Sequence, residues 1–315
     1  MEIVRSKIKV AVLAGGIGSE REISIQSGQC VAGALKEAGF EVVTADIGPD
    51  YLEILDDTSI DVFFPALHGE FGEDGRLQQI LEDRSLLYAG SGPAASRLAF
   101  DKMASKMLFE DAGVSTPAAI EFDDQTNIEL LEEQLLRLAG RYVVKPIRQG
   151  SSVGVSIVST PAEAIDAARR TLSEFGDCMI EEFVPGREVT VGILHGRALP
   201  IIEVRPKSGF YDYHAKYFDE QTQYLFDTVT DTATVENLSR DAVECFNALG
   251  CRHFARVDFL LTDDQIAYVL ETNTIPGFTS HSLLPKAAAK AGLSMSELCS
   301  NIVEAAYSSL AGRKV

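Results

Sequence analysis

Apolar residues in the first part of the chain come in short runs separated by stretches of helical period, the rhythm of an open βαβ sheet. Ile8–Ala14 (IKVAVLA) reads as a buried parallel strand. After a glycine turn, a helix is expected from Glu22 to Ala38, with Ser19 and Glu22 spaced as a capping box and Gly39 as its stop. Strands are predicted at Glu41–Ala45 and Asp61–Leu67, a helix at Arg76–Arg84, and a short strand ending at Gly90-Ser91-Gly92-Pro93. A first boundary falls near residue 95.

Beyond it the pattern predicts a helix at Ala94–Ala112, a strand at Ala118–Phe122, a helix at Ile128–Leu138 and a strand at Tyr142–Pro146. The loop Arg148–Gly154 leads to a strand at Val155–Ser159, a helix at Ala162–Phe175 and a strand at Met179–Val184. Pro185-Gly186 marks a second boundary, giving units 1–95, 96–184 and 185–315. In the last unit strands are joined at His195-Gly196 and Asp263-Asp264-Gln265, and helices are expected at Glu236–Leu249 and Met295–Ala311. Tyr211–Gln223 is polar and aromatic without a period, and reads as a functional loop.

The hairpin Ala255–Leu261/Ile266–Leu270 carries the most chemistry. If its turn centres between Asp264 and Gln265, Asp258 lies opposite Glu271, with Arg256 and Asn273 on the same face. Ala255, Val257, Phe259, Leu261, Ile266, Tyr268 and Leu270 then belong to the core face. Opposed carboxylates repel, so a compensating charge is required. Two carboxylates and an amide oxygen suit Mg²⁺; a solvated acidic pair neutralised by Arg256 is the alternative. Asn273–Ser282 (NTIPGFTSHS) leaves the same face as a turn-rich loop whose N–H groups could dock a substrate.

Lys145 sits inside an apolar strand, where burial asks for an anion such as phosphate, or the side chain reaches solvent from the strand end. The glycine-serine loop after it joins strand to strand and lacks G-x-x-x-x-G-K-[ST], so it reads as a flap over phosphates rather than a Walker loop. In Gly16-x-Gly18-x-x-Arg21 an arginine occupies the third-glycine position of a dinucleotide fingerprint, which weakens an NAD reading. Glu20 could hold an ammonium group there, or simply favour the helix start. His68 opens His68-Gly69-Glu70-Phe71-Gly72-Glu73-Asp74-Gly75 at the carboxyl edge of a strand, as a ligand group or a structural one.

The net charge of −19 over 315 residues argues against nucleic acid or an anionic membrane as partner. Five scattered cysteines without a C-x-x-C pair read as reduced cytoplasmic thiols, and neither a signal peptide nor a membrane span is apparent.

Taken together, GGIGSERE (15–22), ALHGEFGEDG (66–75), the lysine of DKMASK (101–106), KPIRQGSSVG (145–154), EEFVPGREVTVG (181–192), FYDYHAKY (210–217), RVD (256–258) and ETNTIPGFTSHSL (271–283) resemble the D-alanine–D-alanine ligase family, a branch of the ATP-grasp superfamily. The resemblance implies an α/β chain of three domains. A Rossmann-like N-terminal sheet would bind substrate, and ATP would lie between the other two domains. It implies that Lys102 and Lys145 contact the phosphates, Glu181 the adenine edge and Glu188 the ribose. Asp258, Glu271 and Asn273 would carry two Mg²⁺ ions, with Mn²⁺ as a substitute and a monovalent cation as a further activator. Glu20 would take the first D-alanine's ammonium beside Ser151 and Tyr217. His68, Lys216 and Ser282 would line the substrate site, the last two on the second carboxylate. Arg256 and the Gly277 N–H would stabilise the oxyanion. The implied reaction runs through a D-alanyl phosphate, serves cell-wall precursor synthesis, and is carried out by a cytoplasmic homodimer. Gln149 stands where many relatives have glutamate, and Ile275 replaces a small residue or leucine. Tyr217, where D-lactate-using relatives often carry Phe, favours the dipeptide. The rival readings are a ligase taking D-lactate or D-serine second, an NAD-dependent oxidoreductase, and a regulator that holds ATP without turnover.

Overall fold

The computed structural model describes residues 4–18, 20–138, 140–207 and 221–312. Strand β1 (Lys9–Gly15) is central in a parallel three-stranded sheet, between β2 (Glu41–Ile47) and β3 (Val62–Pro65). Helix α1 (Arg21–Glu37) makes the first crossover, and α2 (Arg76–Asp83) follows β3. Both faces of β1 are buried, which is why its sequence does not alternate. Val10 and Val12 pack with Val31 and Leu35 of α1, while Ala11 and Leu13 pack with Leu77 and Leu81 of α2. The expected strand before Gly90 is a single parallel bridge, Phe63 to Tyr88.

Two of these readings change at helix starts. The N-cap of α1 is Glu20, without a side-chain cap bond; Ser19 of the expected capping box lies outside the described residues. The helix expected over Ala94–Ala112 is two helices, α3 (Pro93–Phe100) and α4 (Lys102–Asp111). Asp101 breaks it: its backbone is extended (φ −95°, ψ 102°) and its carboxylate accepts the Ala104 N–H at 2.9 Å. The break turns Lys102 into the first residue of a new helix.

Next comes an antiparallel sheet of order β4-β7-β5-β6: β4 (Ala119–Glu121), β5 (Tyr142–Lys145), β6 (Ser156–Val158) and β7 (Met179–Glu182). Helices α5 (Ile128–Leu138) and α6 (Pro161–Phe175) cover it through Leu131, Leu135, Ala164 and Ala168. Thr160 and Glu163 form a full capping box on α6.

The third sheet is antiparallel, β11-β10-β8-β12-β13, with β9 (Arg197–Ala198) beside β8. Its other strands are β8 (Arg187–Leu194), β10 (Ile202–Arg205), β11 (Gln223–Phe226), β12 (Phe254–Leu261) and β13 (Ala267–Asn273). Helices α7 (Thr232–Ala248), α8 (Leu283–Lys290) and α9 (Met295–Gly312) complete the chain; α8 was not foreseen. Of the expected loop Tyr211–Gln223, residues 211–220 lie outside the described residues, and Gln223 begins β11.

The first and third sheets share one core. Phe64 of β3 stacks on Phe254 of β12 at 6.1 Å, both are edge-on to Phe278, and Ile302 and Val303 of α9 join them. No helix among the described residues is long and apolar enough to cross a membrane.

Candidate active site

The hairpin of β12 and β13 sets the site's register. Asp258 pairs with Glu271 and Arg256 with Asn273, as the alternation predicts. The route to that register differs from the expected one. Gln265 takes a left-handed φ of 62°, making a three-residue turn centred on Asp264, and a β-bulge between Asp258 and Phe259 restores the phase by leaving Leu270 extra. The bulge also overturns the expected core face of β13. Val269 and Ala267 face the core, Ile266 is 49 % exposed, and Leu270 lines a cavity with Leu260.

Two cavities meet at this strand pair. One, of about 430 Å³, is lined by Glu20, His68, Ser151, Arg256, Gly277 and Ser282. The other, of about 480 Å³, is lined by Lys102, Lys145, Glu181, Glu188, Asp258 and Leu270. Glu271 borders both. Every expected site residue that is described therefore falls on one of two connected walls. Lys216 and Tyr217 lie outside the described residues.

Asp258 is buried and heavily partnered. Arg256 donates to its two oxygens at 2.9 and 2.7 Å, Asn273 Nδ2 donates at 3.0 Å, and Thr190 Oγ1 donates at 2.6 Å. The Arg256 pairing is thus present, as the alternative to a metal foresaw. Glu271 lies 3.6 Å from Lys102 Nζ, which also donates to the Gln149 carbonyl at 2.6 Å and so ties the flap to the hairpin. Among the described residues no cluster of three or more His, Cys, Asp and Glu side chains could hold a metal alone. The hard oxygens of Asp258, Glu271 and Asn273 fit Mg²⁺ as a partial shell of the kind that phosphate oxygens and water complete.

In the nucleotide-sized cavity the anion for Lys145 is a protein group. Lys145 Nζ is 2.6 Å from Glu181 Oε2, and Lys106 Nζ is 2.6 Å from Oε1. Burial disfavours the Glu181 carboxylate, but the two lysines outweigh it and hold its pKa below the ordinary range. Lys106 was missed by sequence reasoning. Its signal is the four-residue spacing from Lys102, which puts two lysines along one side of α4.

In the other cavity Ser151 Oγ donates to Glu20 Oε1 at 2.5 Å, joining the flap to the first sheet. His68 is committed structurally at both ring nitrogens: 3.0 Å to Ser27 Oγ and 3.1 Å to the Ile275 carbonyl. Burial lowers its pKa, so the neutral ring is the stable form. Ser282 Oγ accepts the Thr279 N–H at 2.9 Å and packs against Gly277, where any Cβ would come within 2.5 Å of it. Glu73, also missed, lines the same wall; burial and the nearby Glu20 charge raise its pKa to about 8, although it accepts the Gly69 N–H. Its place in HGEFGEDG was the available signal.

A family model described as "D-ala D-ala ligase C-terminus" matches residues 108–304, and its "D-ala D-ala ligase N-terminus" counterpart matches residues 48–91. The chain belongs to the D-alanine–D-alanine ligase family. The D-alanine–D-alanine ligase of Syntrophotalea carbinolica is 44 % identical over 299 residues, spanning 95 % of this chain and 96 % of that one. The crystal structure of D-alanine–D-alanine ligase from Bacillus anthracis complexed with ATP superposes with a TM-score of 0.84 at 34 % identity, covering 98 % of both chains. A D-Ala:D-Ser ligase from Enterococcus faecalis superposes at 0.83 with 28 % identity, covering 96 % of this chain and 99 % of its own. The fold is therefore that of the ATP-grasp D-alanine–D-alanine ligases, and the parallel sheet of β1–β3 is their N-terminal sheet.

Proposed function

We propose that the chain joins two D-alanine molecules into D-alanyl-D-alanine at the expense of ATP, releasing ADP and phosphate for peptidoglycan precursor synthesis. The observation that carries this reading is the Asp258–Glu271 pair standing where a nucleotide-sized cavity that holds Lys102 and Lys145 meets a second, polar one. In it, Lys102 and Lys145 hold the phosphates, Glu181 faces the adenine edge and Glu188 the ribose. Asp258, Glu271 and Asn273 would hold two Mg²⁺ ions, which when bound neutralise and order the phosphate oxygens.

Glu20 takes the first D-alanine's ammonium and, with Ser151, fixes its carboxylate in line for attack on the γ-phosphate. The acyl phosphate so formed is attacked by the second D-alanine's amine. Ser282 and Lys216 hold the second carboxylate. Arg256 and the Gly277 N–H meet the oxyanion, so Arg256 must leave Asp258 when the site fills. Tyr217 would add a hydrogen bond beside Glu20, and the flap at 150–154 would keep water from the acyl phosphate. His68, with both nitrogens engaged, shapes the wall rather than exchanging protons. We also propose the division into units 1–95, 96–184 and 185–315, a homodimer, and a cytoplasmic location where ATP and both substrates are at hand.

The test is phosphate release with ATP, Mg²⁺ and D-alanine, with products identified by mass. L-alanine and mixtures of D-alanine with D-serine or D-lactate serve as comparisons. D-alanine-dependent release yielding the dipeptide is expected. Turnover only with D-serine or D-lactate present would reassign the second substrate, and ATP binding without turnover would overturn the reading.

A further inference from the structure

Glu181 is one carboxylate with two ammonium groups, and the two lysines are not equivalent. Lys145 comes from the end of β5 and lines the larger cavity, as Glu181 does. Lys106 comes from α4, is 4 % exposed, and does not border that cavity. Lys106 Nζ donates to Thr116 Oγ1 at 2.7 Å and to the Pro117 carbonyl at 2.6 Å, and forms an ion pair with Glu181 Oε1 at 2.6 Å. Thr116 Oγ1 in turn donates to the Val269 carbonyl at 2.9 Å, so this lysine is braced against the strand that carries Glu271. Lys145 has an exit toward the cavity; Lys106 has none.

We infer that Lys106 is a positioning residue for nucleotide binding: the fixed counter-ion that keeps Glu181 ionised and aimed when Lys145 turns from it to a phosphate. The inference rests on the larger cavity being the nucleotide site. A carboxylate 2 % exposed that lost its single cation would be left uncompensated, and such a group takes up a proton instead. With two lysines, one can be lent to the ligand while the other stays. The charged groups facing Glu181 are Lys106 from α4 and Lys145 from β5, and burial is what opposes its charge. Lys106 itself is pushed down in pKa by burial and by Lys145, with Glu181 and Glu110 opposing. When Lys145 moves away, that repulsion goes with it, and the Lys106–Glu181 pair tightens as the ligand arrives.

The distinguishing readout is proton linkage. Calorimetric titration of Mg·ADP into the full chain, repeated in buffers of different ionisation enthalpy between pH 6.5 and 8.5, counts protons taken up on binding. In the unsubstituted chain no uptake by Glu181 is expected. In Lys106→Met, binding should take up close to one proton, and its affinity should fall about tenfold per pH unit as pH rises. Lys106→Met with Glu181→Gln should lose the uptake, which places the proton on Glu181. If Lys106→Met does not fold, Lys106→Gln carries the test, since it keeps a donor for Thr116 or Pro117 without the charge. Lowered thermal stability with ADP affinity and proton count unchanged would mean a purely structural lysine and overturn the inference. Failure of the unsubstituted chain to bind Mg·ADP would instead overturn the nucleotide-site reading beneath it.

Discussion

Ser151 on the flap donates a 2.5 Å hydrogen bond to Glu20 at the mouth of the first sheet, joining positions 131 apart in sequence. Ser151 holds a left-handed φ of 54° and Ser152 one of 58°, conformations that cost a non-glycine residue on the order of 1 kcal/mol each unless something fixes them. The Glu20 contact is one such fixture. Ser151→Ala should lower kcat/KM for D-alanine by about ten- to a hundredfold, the worth of a hydrogen bond to a charged group. Amide exchange at residues 149–154 should quicken. Unchanged exchange would remove the flap from the explanation.

Glu271 borders both cavities and lies 3.6 Å from Lys102. Replacing its charge while keeping its shape separates chemistry from folding. Glu271→Gln should abolish phosphate release, by on the order of a thousandfold, because a group acting in the transition state contributes several kcal/mol. Its melting temperature should stay within a few degrees, since the side chain is partly exposed and lies outside the core clusters. A variant that melts early would make the residue structural first.

His253 accepts the Gly90 N–H at 3.0 Å where the first sheet's exit meets β12. Burial, Arg252 and His195 push its pKa down from 6.5 to about 4. The neutral ring is the form the fold accepts. Its contribution is complete above the unfolded pKa of 6.5 and is lost as pH falls from there toward 4. Partial exposure reduces the effect to on the order of 2 kcal/mol. Denaturant unfolding from pH 7 to 4.5 should show this loss, and His253→Gln should flatten that part of the curve. An identical slope in the variant would assign the pH dependence to other groups.

What was legible in the sequence follows from strand parity and motif content. Arg256 and Asp258 share a face, as do Glu271 and Asn273, because alternate residues along a strand do; that the two pairs meet across the hairpin depends on the bulge, which offsets the three-residue turn. Lys145 was legible as a buried cation, but not its partner, since Glu181 comes from a different strand 36 positions on (181 − 145). The break at Asp101 was hidden because the residues on both sides keep a helical pattern, and an aspartate reads equally as a helix surface or as a cap. Local spacing marks Lys106 as a neighbour of Lys102 and the motif marks Glu73, but the partners that give them their roles, Glu181 and Glu20, are distant in sequence and set by the tertiary fold.

The bulge at Leu270 had no sequence signal either, because it lies among apolar residues that could face either way. It yields a sharp contrast between neighbours. Val269 is fully buried in the core formed with Phe259, Leu238 and Phe246, so Val269→Ala should cost about 2 kcal/mol of stability through lost burial and a small cavity. Leu270, one residue on, faces the nucleotide-sized cavity with Leu260. Leu270→Ala should leave the unfolding midpoint nearly unchanged and raise KM for ATP severalfold, because the apolar surface it removes meets the ligand rather than the core. Without the bulge the order would reverse: Leu270 would be core and Val269 would face the site. Equilibrium unfolding and ATP kinetics on these two variants decide between the registers. A large stability loss at Leu270 with none at Val269 would place the bulge elsewhere along β13 and return Leu270 to the core.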